Sequence, residues 1–263
     1  IRPDALYDEK ISLIVCHIRV IVGGKLYKKL MIFICMVPVL ISCNKVSDSN
    51  ISNKDIISYC TGDIDSDGTY ELIAVNDGGE RKKLPTKEAY GKFVEIYKEF
   101  TIDDGKVILG SEPDYSFDFS NMKPSKVQLG DVDGDGKLDI SIVMYKKVKF
   151  HNALAKRPFF YNFKYGKLVP LWLGSRLSRH FDDFKLADID NDKVSEIISI
   201  EELEDKNRVL AVYTWNGFGF DLFIQSHEEF KKLMFDSTVT EIKLIADGKE
   251  REVKFIDGKI LIE

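Results

Sequence analysis

Beyond residue 55 the apolar positions come in short runs rich in Val, Ile, Phe and Tyr, bounded by Gly, Asp and Asn. That is the pattern of β-strands rather than of helices. Ile57–Cys60, Leu72–Val75, Phe93–Ile102 and Lys106–Leu109 form a first group of four predicted strands. Lys126–Leu129, Ile140–Tyr145, Pro158–Phe163 and Lys167–Leu173 form a second, and Phe184–Leu186, Ile197–Ile200, Val209–Trp215 and Phe220–Ile224 a third. The last two strands of each group flank Asp103-Asp104-Gly105, Lys164-Tyr165-Gly166 and Asn216-Gly217-Phe218-Gly219, which read as hairpin turns. A tail adds Glu241–Ala246, Glu250–Ile256 and Lys259–Glu263, turned at Asp247-Gly248 and Asp257-Gly258 and preceded by a predicted short helix at His227–Phe235.

Between the first two strands of each group lies the same acidic loop. It runs Asp63-Ile64-Asp65-Ser66-Asp67-Gly68-Thr69-Tyr70-Glu71, then Asp131-Val132-Asp133-Gly134-Asp135-Gly136-Lys137-Leu138-Asp139, then Asp188-Ile189-Asp190-Asn191-Asp192-Lys193-Val194-Ser195-Glu196. Carboxylates at loop positions 1, 3, 5 and 9 converge on one point, and the backbone carbonyl of position 7 (Thr69, Lys137, Val194) adds an oxygen. A set of oxygens of this kind suits a hard cation such as Ca²⁺, and without a cation the carboxylates repel. Position 12 is Ala74, Ile142 or Ser199, and strands flank the loop, which excludes an EF-hand. In the third copy Lys193 replaces the expected Gly, which forces a costly backbone or a wider turn and sets an ammonium beside the cation. The third site is therefore expected to be the weakest.

Strand, acidic loop, strand, strand, turn, strand resembles the FG-GAP/VCBS repeat, the calcium-loop blade of integrin-like β-propellers, over roughly residues 55–226. The resemblance implies an all-β, β-propeller-like array of about three four-stranded blades, at about 55–115, 120–175 and 180–226, with a C-terminal hairpin sheet at 236–263. That sheet is expected as a degenerate fourth blade without a cation loop; an open array capped by it is the alternative. The resemblance also implies structural Ca²⁺ at two or three sites.

The N-terminus follows another plan. Lys28-Lys29 precedes an unbroken apolar run, Leu30 to Ile41, then Leu40-Ile41-Ser42-Cys43. A basic start, a short apolar stretch and a small residue before the cut describe a secretory signal. Twelve residues fall short of the roughly 20 that span a bilayer. Leu-Ile-Ser-Cys resembles the bacterial lipobox, which implies lipid on Cys43, a signal peptide at 26–42 and a polar tether at 43–54. An uncleaved anchor is the alternative. Residues 1–25 fit neither element and are expected to be an untranslated or spurious leader, with translation starting at Leu26 or Met31.

The net charge is -5, but residues 1–42 hold six Lys/Arg against three Asp/Glu, so the remainder carries -8. Of the four cysteines, that remainder keeps Cys43 and Cys60, and Cys60 sits in a strand-like run as a buried thiol. Acidity of this kind disfavours nucleic acid as a partner. Against it stands residues 140–181, with nine Lys/Arg, no Asp or Glu, and interleaved aromatics. Strand alternation alone accounts for such a pattern when aromatics face the core. Its functional reading is an anion-facing surface of Lys146, Lys147, Lys149 and Arg157, with Trp172, Arg176, Arg179 and His180 as a second group in an inter-blade loop. No nucleophile elbow, zinc His pair or phosphate-cradling loop stands out, so no catalytic residues are assigned. The resulting expectation is a lipid-anchored binding or scaffolding module at the bacterial envelope. Its partner would be an anionic lipid, a cell-wall polymer, a glycan or an envelope protein. A lectin or polysaccharide-active module is the alternative.

Overall fold

The computed structural model describes residues 56–263 apart from residues 104, 111, 150, 175, 176, 237–241 and 257, together with three short strands nearer the N-terminus. The chain divides into two units, Ile1–Leu40 and Ile41–Glu263. In the first, His17–Val22 pairs antiparallel with Lys25–Leu30. The apolar run expected as a signal segment lies outside the described residues over 31–42.

The second unit is all β, with no helix among the described residues. Four antiparallel sheets follow one another along the chain. The first orders Tyr115–Asp118, Phe93–Tyr97, Glu71–Asn76 and Ile56–Gly62, with Cys43–Lys45 beside Ser58–Cys60 at its edge. The second is Pro124–Gly130, Asp139–Val148, His151–Lys164 and Lys167–Leu173. Phe181–Ala187, Glu196–Glu202, Arg208–Trp215 and Phe220–Gln225 make the third. The fourth is Leu233–Phe235, Lys243–Ala246, Lys249–Ile256 and Lys259–Ile262.

The sheets stack face to face, because alternate residues of each second strand enter different cores. Ile140, Ile142 and Met144 pack with Ile73, Val75, Val94 and Ile96 of the first sheet, whereas Val143 packs with Phe184 and Ile197 of the third. Ile198 and Ile200 in turn face Leu233, Leu244 and Ile260 of the fourth. A strand buried on both faces reads as a continuous apolar run, which is why Ile140–Met144 shows little alternation in sequence. The first strands of successive sheets lie beside one another. The outer face of the first sheet is closed by the hairpin Phe100–Asp103/Lys106–Leu109, through Phe100, Val107 and Leu109, and among the described residues its apolar cluster contains none of the fourth sheet.

Two expectations are corrected. Phe93–Ile102 is not one strand: it breaks at Lys98-Glu99, where Lys98 N–H donates to Asp114 Oδ2 at 2.7 Å, and the fourth strand of the first sheet is Tyr115–Asp118 rather than Lys106–Leu109. His227–Phe235 is not a helix. Phe230 exchanges backbone hydrogen bonds with Arg208, and Leu233–Phe235 pairs with Leu244–Ala246, so backbone groups that a helix would satisfy internally are taken by neighbouring strands. The expected turns at Tyr165-Gly166 (φ 55° and 71°) and Asp247-Gly248 (φ 49° and 82°) are two-residue hairpin turns, with both central residues in the left-handed region. Cys60 is buried and forms no disulfide.

Because Ile142 fills the core shared by the first and second sheets, Ile142→Ala should lower unfolding stability by about 2–5 kcal/mol. Denaturant melts at constant m-value are the check, and a loss below ~1 kcal/mol would mean that this face is not the packed core described.

Candidate metal centres

The three acidic loops fold alike. In each, the ninth-position carboxylate at the start of the second strand is tucked beneath the turn and accepts the N–H of loop position 2. Glu71 Oε2 takes Ile64 N–H at 3.1 Å, Asp139 Oδ2 takes Val132 N–H at 3.0 Å, and Glu196 Oε2 takes Ile189 N–H at 3.1 Å. All three acids are buried. The first-position aspartate closes the turn from above: Asp63, Asp131 and Asp188 each accept the N–H of loop position 6, at 3.0, 2.8 and 3.0 Å. Positions 4 and 6 are left-handed throughout, as Ser66/Gly68, Gly134/Gly136 and Asn191/Lys193.

Lys193 therefore adopts the glycine-like backbone, at φ 75°, rather than widening the turn. Its cost is a strained residue, of order 1 kcal/mol, but the closing hydrogen bonds of the third loop match those of the first, and its position-6 and position-7 bonds match those of both.

Loop positions 1, 3 and 9 bring carboxylate oxygens together within 4.8 Å of one another in Asp63/Asp65/Glu71, Asp131/Asp133/Asp139 and Asp188/Asp190/Glu196. The fifth-position aspartates, also expected as ligands, turn onto their own loop: Asp67, Asp135 and Asp192 accept the position-7 N–H of Thr69, Lys137 and Val194 at 2.8, 3.0 and 2.7 Å. The donor set is all oxygen, and Glu71 Oε1 is buried without a hydrogen-bond partner among the described residues. Clusters of this kind, one buried acid beneath two more accessible aspartates, fit a hard divalent cation, which would supply the charge neutralisation that the protein dipoles leave incomplete. Burial pushes the carboxyls of Asp139 and Glu196 up to about 7 and raises those of Glu71 and Asp131. Hydrogen bonds from the Thr69 hydroxyl and N–H hold Asp67 down at about 2.

The loops sit next to one another at one edge of the stack. A Cβ on Gly62 would lie 2.7 Å from Leu129 and Leu138, and one on Gly130 would lie 2.8 Å from Ser195 Oγ, so these glycines let the next sheet's loop approach. Ser195 N–H donates to Asp131 O at 2.6 Å. The third loop borders the fourth sheet instead: Asp188 and Ile189 line a cleft of about 480 Å³ with Lys243, Glu252 and Phe255.

One residue that the sequence reading missed stands over the first loop. Lys98 Nζ lies 3.0 Å from Asp65 Oδ2, 3.3 Å from Asp67 Oδ2 and 3.7 Å from Glu71 Oε1. The available signal was register: Lys98 follows Tyr97, and tyrosines recur at the same strand position as Tyr161 and Tyr213.

The basic residues do not form one surface. Lys146, Lys147 and Lys149 line a groove of about 450 Å³ with Met122, Val148, Phe159, Tyr161, Pro170 and Leu173, and the Lys146 ammonium lies 5.6 Å from the Phe159 ring centre. Arg157 is instead buried, with Nη2 2.6 Å from His151 Nδ1 and donating to Ala153 O, and so cannot face a ligand on that surface. Trp172 packs against Phe160 and Phe220, with ring centres 6.2 and 5.2 Å away, between the second and third sheets. Arg179 donates to Gln225 Oε1 at 2.8 Å and pairs with Glu201, and exposed His180 lies 5.5 Å from the His151 ring. Arg176 and the side chain of Cys43 lie outside the described residues.

No protein-family model matches the chain, and no curated protein matches it. Among solved structures it is similar to the Bacillus licheniformis rhamnogalacturonan lyase PL11, at 16% identity and a TM-score of 0.45, over 94% of this chain and 50% of that one. This chain thus spans half the length of that lyase. The all-β architecture rests on the strand pairings above, since a score of 0.45 is too low to assign a fold.

Chelated protein should lose thermal stability as pH rises from about 5 to 8. Asp139 and Glu196 hold protons in the folded chain up to about 7 but release them near 4 when unfolded, so their stabilising contribution is complete below pH 4 and lost through pH 7. Melting curves in EDTA across this range are the check. A melting temperature that is flat or climbs between pH 5 and 8 would contradict the burial of these acids.

Proposed function

We propose that the chain is a calcium-stabilised, β-propeller-like binding module of the FG-GAP/VCBS kind, held at the bacterial envelope by lipid on Cys43, with the lysine groove of the second sheet as its docking surface. The observation that carries the reading is the repetition of one acidic triad between the first two strands of the repeated four-stranded unit in three successive sheets, the first of which adds Cys43–Lys45 as a fifth strand. A cation at each joint links the first strand, the turn and the second strand of its sheet. It also relieves repulsion that otherwise weakens the edge where the three loops meet.

The groove supports an anionic polymer as the ligand. Three lysines rim a concave, largely apolar surface that includes Phe159, Tyr161 and Pro170. Teichoic-type phosphate chains and acidic glycans share the needed chemistry, a repeating anion that several ammonium groups can pair at once.

Added Ca²⁺ should raise the melting temperature of the chelated protein, and Asp131→Ala should remove part of that gain. A melt insensitive to EDTA and Ca²⁺ would overturn the structural-metal part of the reading.

Lys146→Glu/Lys147→Glu/Lys149→Glu should abolish retention on purified cell-wall polymer at about 0.15 M salt without changing the melt. Unchanged, salt-insensitive retention would dispose of the groove as the docking surface.

A further inference from the structure

The register of the sheets singles out one position beside every loop. Leu72, Ile140 and Ile197, each directly after the ninth-position acid, pair with Tyr97, Tyr161 and Tyr213 of the third strand. The residue after that tyrosine therefore comes level with the buried acid. It is Lys98 at the first loop, Asn162 at the second and Thr214 at the third. We propose, building on the reading of these loops as Ca²⁺ sites, that this residue grades their affinity, and that the Lys98 ammonium is a tethered occupant of the first site.

Lys98 and Asn162 meet their loops differently. Lys98 Nζ is shared among Asp65, Asp67 and Glu71. Glu71 is fully buried, and its Oε1 accepts no hydrogen bond among the described residues, so this oxygen is directed at the place that the ammonium shares. Asn162 Nδ2 donates to Asp139 Oδ1 and is itself oriented by Lys164 Nζ, 3.2 Å from Asn162 Oδ1. An amide engages one oxygen of Asp139 but leaves the loop's charge intact. Thr214 carries no charge either.

A divalent cation entering the first loop must displace an ammonium already attracted to the same carboxylates. At the other two loops no ion pair to the loop carboxylates occurs among the described residues, so a divalent cation has no bound ammonium to displace. An ammonium contributes a single charge and no further coordination, so it stabilises the first loop in the absence of Ca²⁺ at the expense of Ca²⁺ affinity. The first loop, and not the Lys193-bearing third, is then the weakest Ca²⁺ site of the three.

Calorimetric titration of the full chain with Ca²⁺, paired with melts in EDTA and in saturating Ca²⁺, tests this. For the wild type, two tighter sites and one weaker are expected. Lys98→Thr should strengthen the weakest by about tenfold or more, and adding Asp65→Asn to that variant should abolish the gain. In EDTA, Lys98→Thr should melt below the wild type, and in Ca²⁺ the difference should close or reverse. Lys98→Asn, which carries the second loop's residue, replaces it should Lys98→Thr fail to fold. An unchanged isotherm with an equal melting loss in both media would show Lys98 to be a packing residue and overturn the proposal, leaving the calcium reading standing. Absence of Ca²⁺ binding in wild type and variant alike would overturn that reading and this proposal together.

Discussion

In each loop a carboxylate that begins the second strand is folded under the turn, where it accepts the N–H of loop position 2. This contact fixes where the first strand ends and the second begins. It also buries a group that prefers water, and the aspartates at positions 1 and 3 add like charge within 4.8 Å. An arrangement of that kind is tolerable when the acid holds a proton or when positive charge sits among the carboxylates. Much else follows from this constraint. The loop geometry is the same whether position 6 is Gly68, Gly136 or Lys193, because closing the turn over the buried acid demands the left-handed backbone and the residue type must comply.

The constraint propagates through the stack. Each second strand leaves its loop with residues for two cores, Ile140 and Ile142 toward the first sheet and Val143 toward the third. A one-residue slip at Asp139 would exchange those faces and turn Ser141, buried on the Val143 side, toward the core shared with the first sheet. Buried acid and strand register are therefore one specification. The loops of neighbouring sheets then come into contact through Gly62 and Gly130, so the turn chemistry of one sheet bears on the packing of the next.

Much of the architecture was legible because its signals are local. Loop spacing, the two-residue turns at Tyr165-Gly166 and Asp247-Gly248, and the strand runs around them are properties of adjacent residues. What escaped depends on distant partners. The break at Lys98 follows from a hydrogen bond to Asp114 and an ion pair with a loop some thirty residues earlier. Phe230 and Leu233–Phe235 are extended because Arg208 and Leu244–Ala246 supply their partners. The predicted anion surface lost a member for the same reason: Arg157 follows the lysines closely in sequence but is committed to His151 and Ala153 inside the fold, and Trp172 and Arg179 of the second group are likewise taken by Phe220 and Gln225.

The placement of the two charged features also decides how they can influence each other. Asp139 opens the second strand of the second sheet and Lys146 and Lys147 stand near its far end. At a rise of roughly 3.4 Å per residue, the seven steps between Asp139 and Lys146 span about 24 Å. The Debye length at physiological ionic strength is about 8 Å. A charge gained at the loop is thus almost wholly screened at an exposed lysine in the groove. Any effect of the loop on the groove must travel through the strand that joins them, by holding Asp139–Val148 in register so that Lys146 and Lys147 remain on the same rim. That division would suit a cation with a structural role, which would hold the strand in register from a distance without altering the charge presented by the groove.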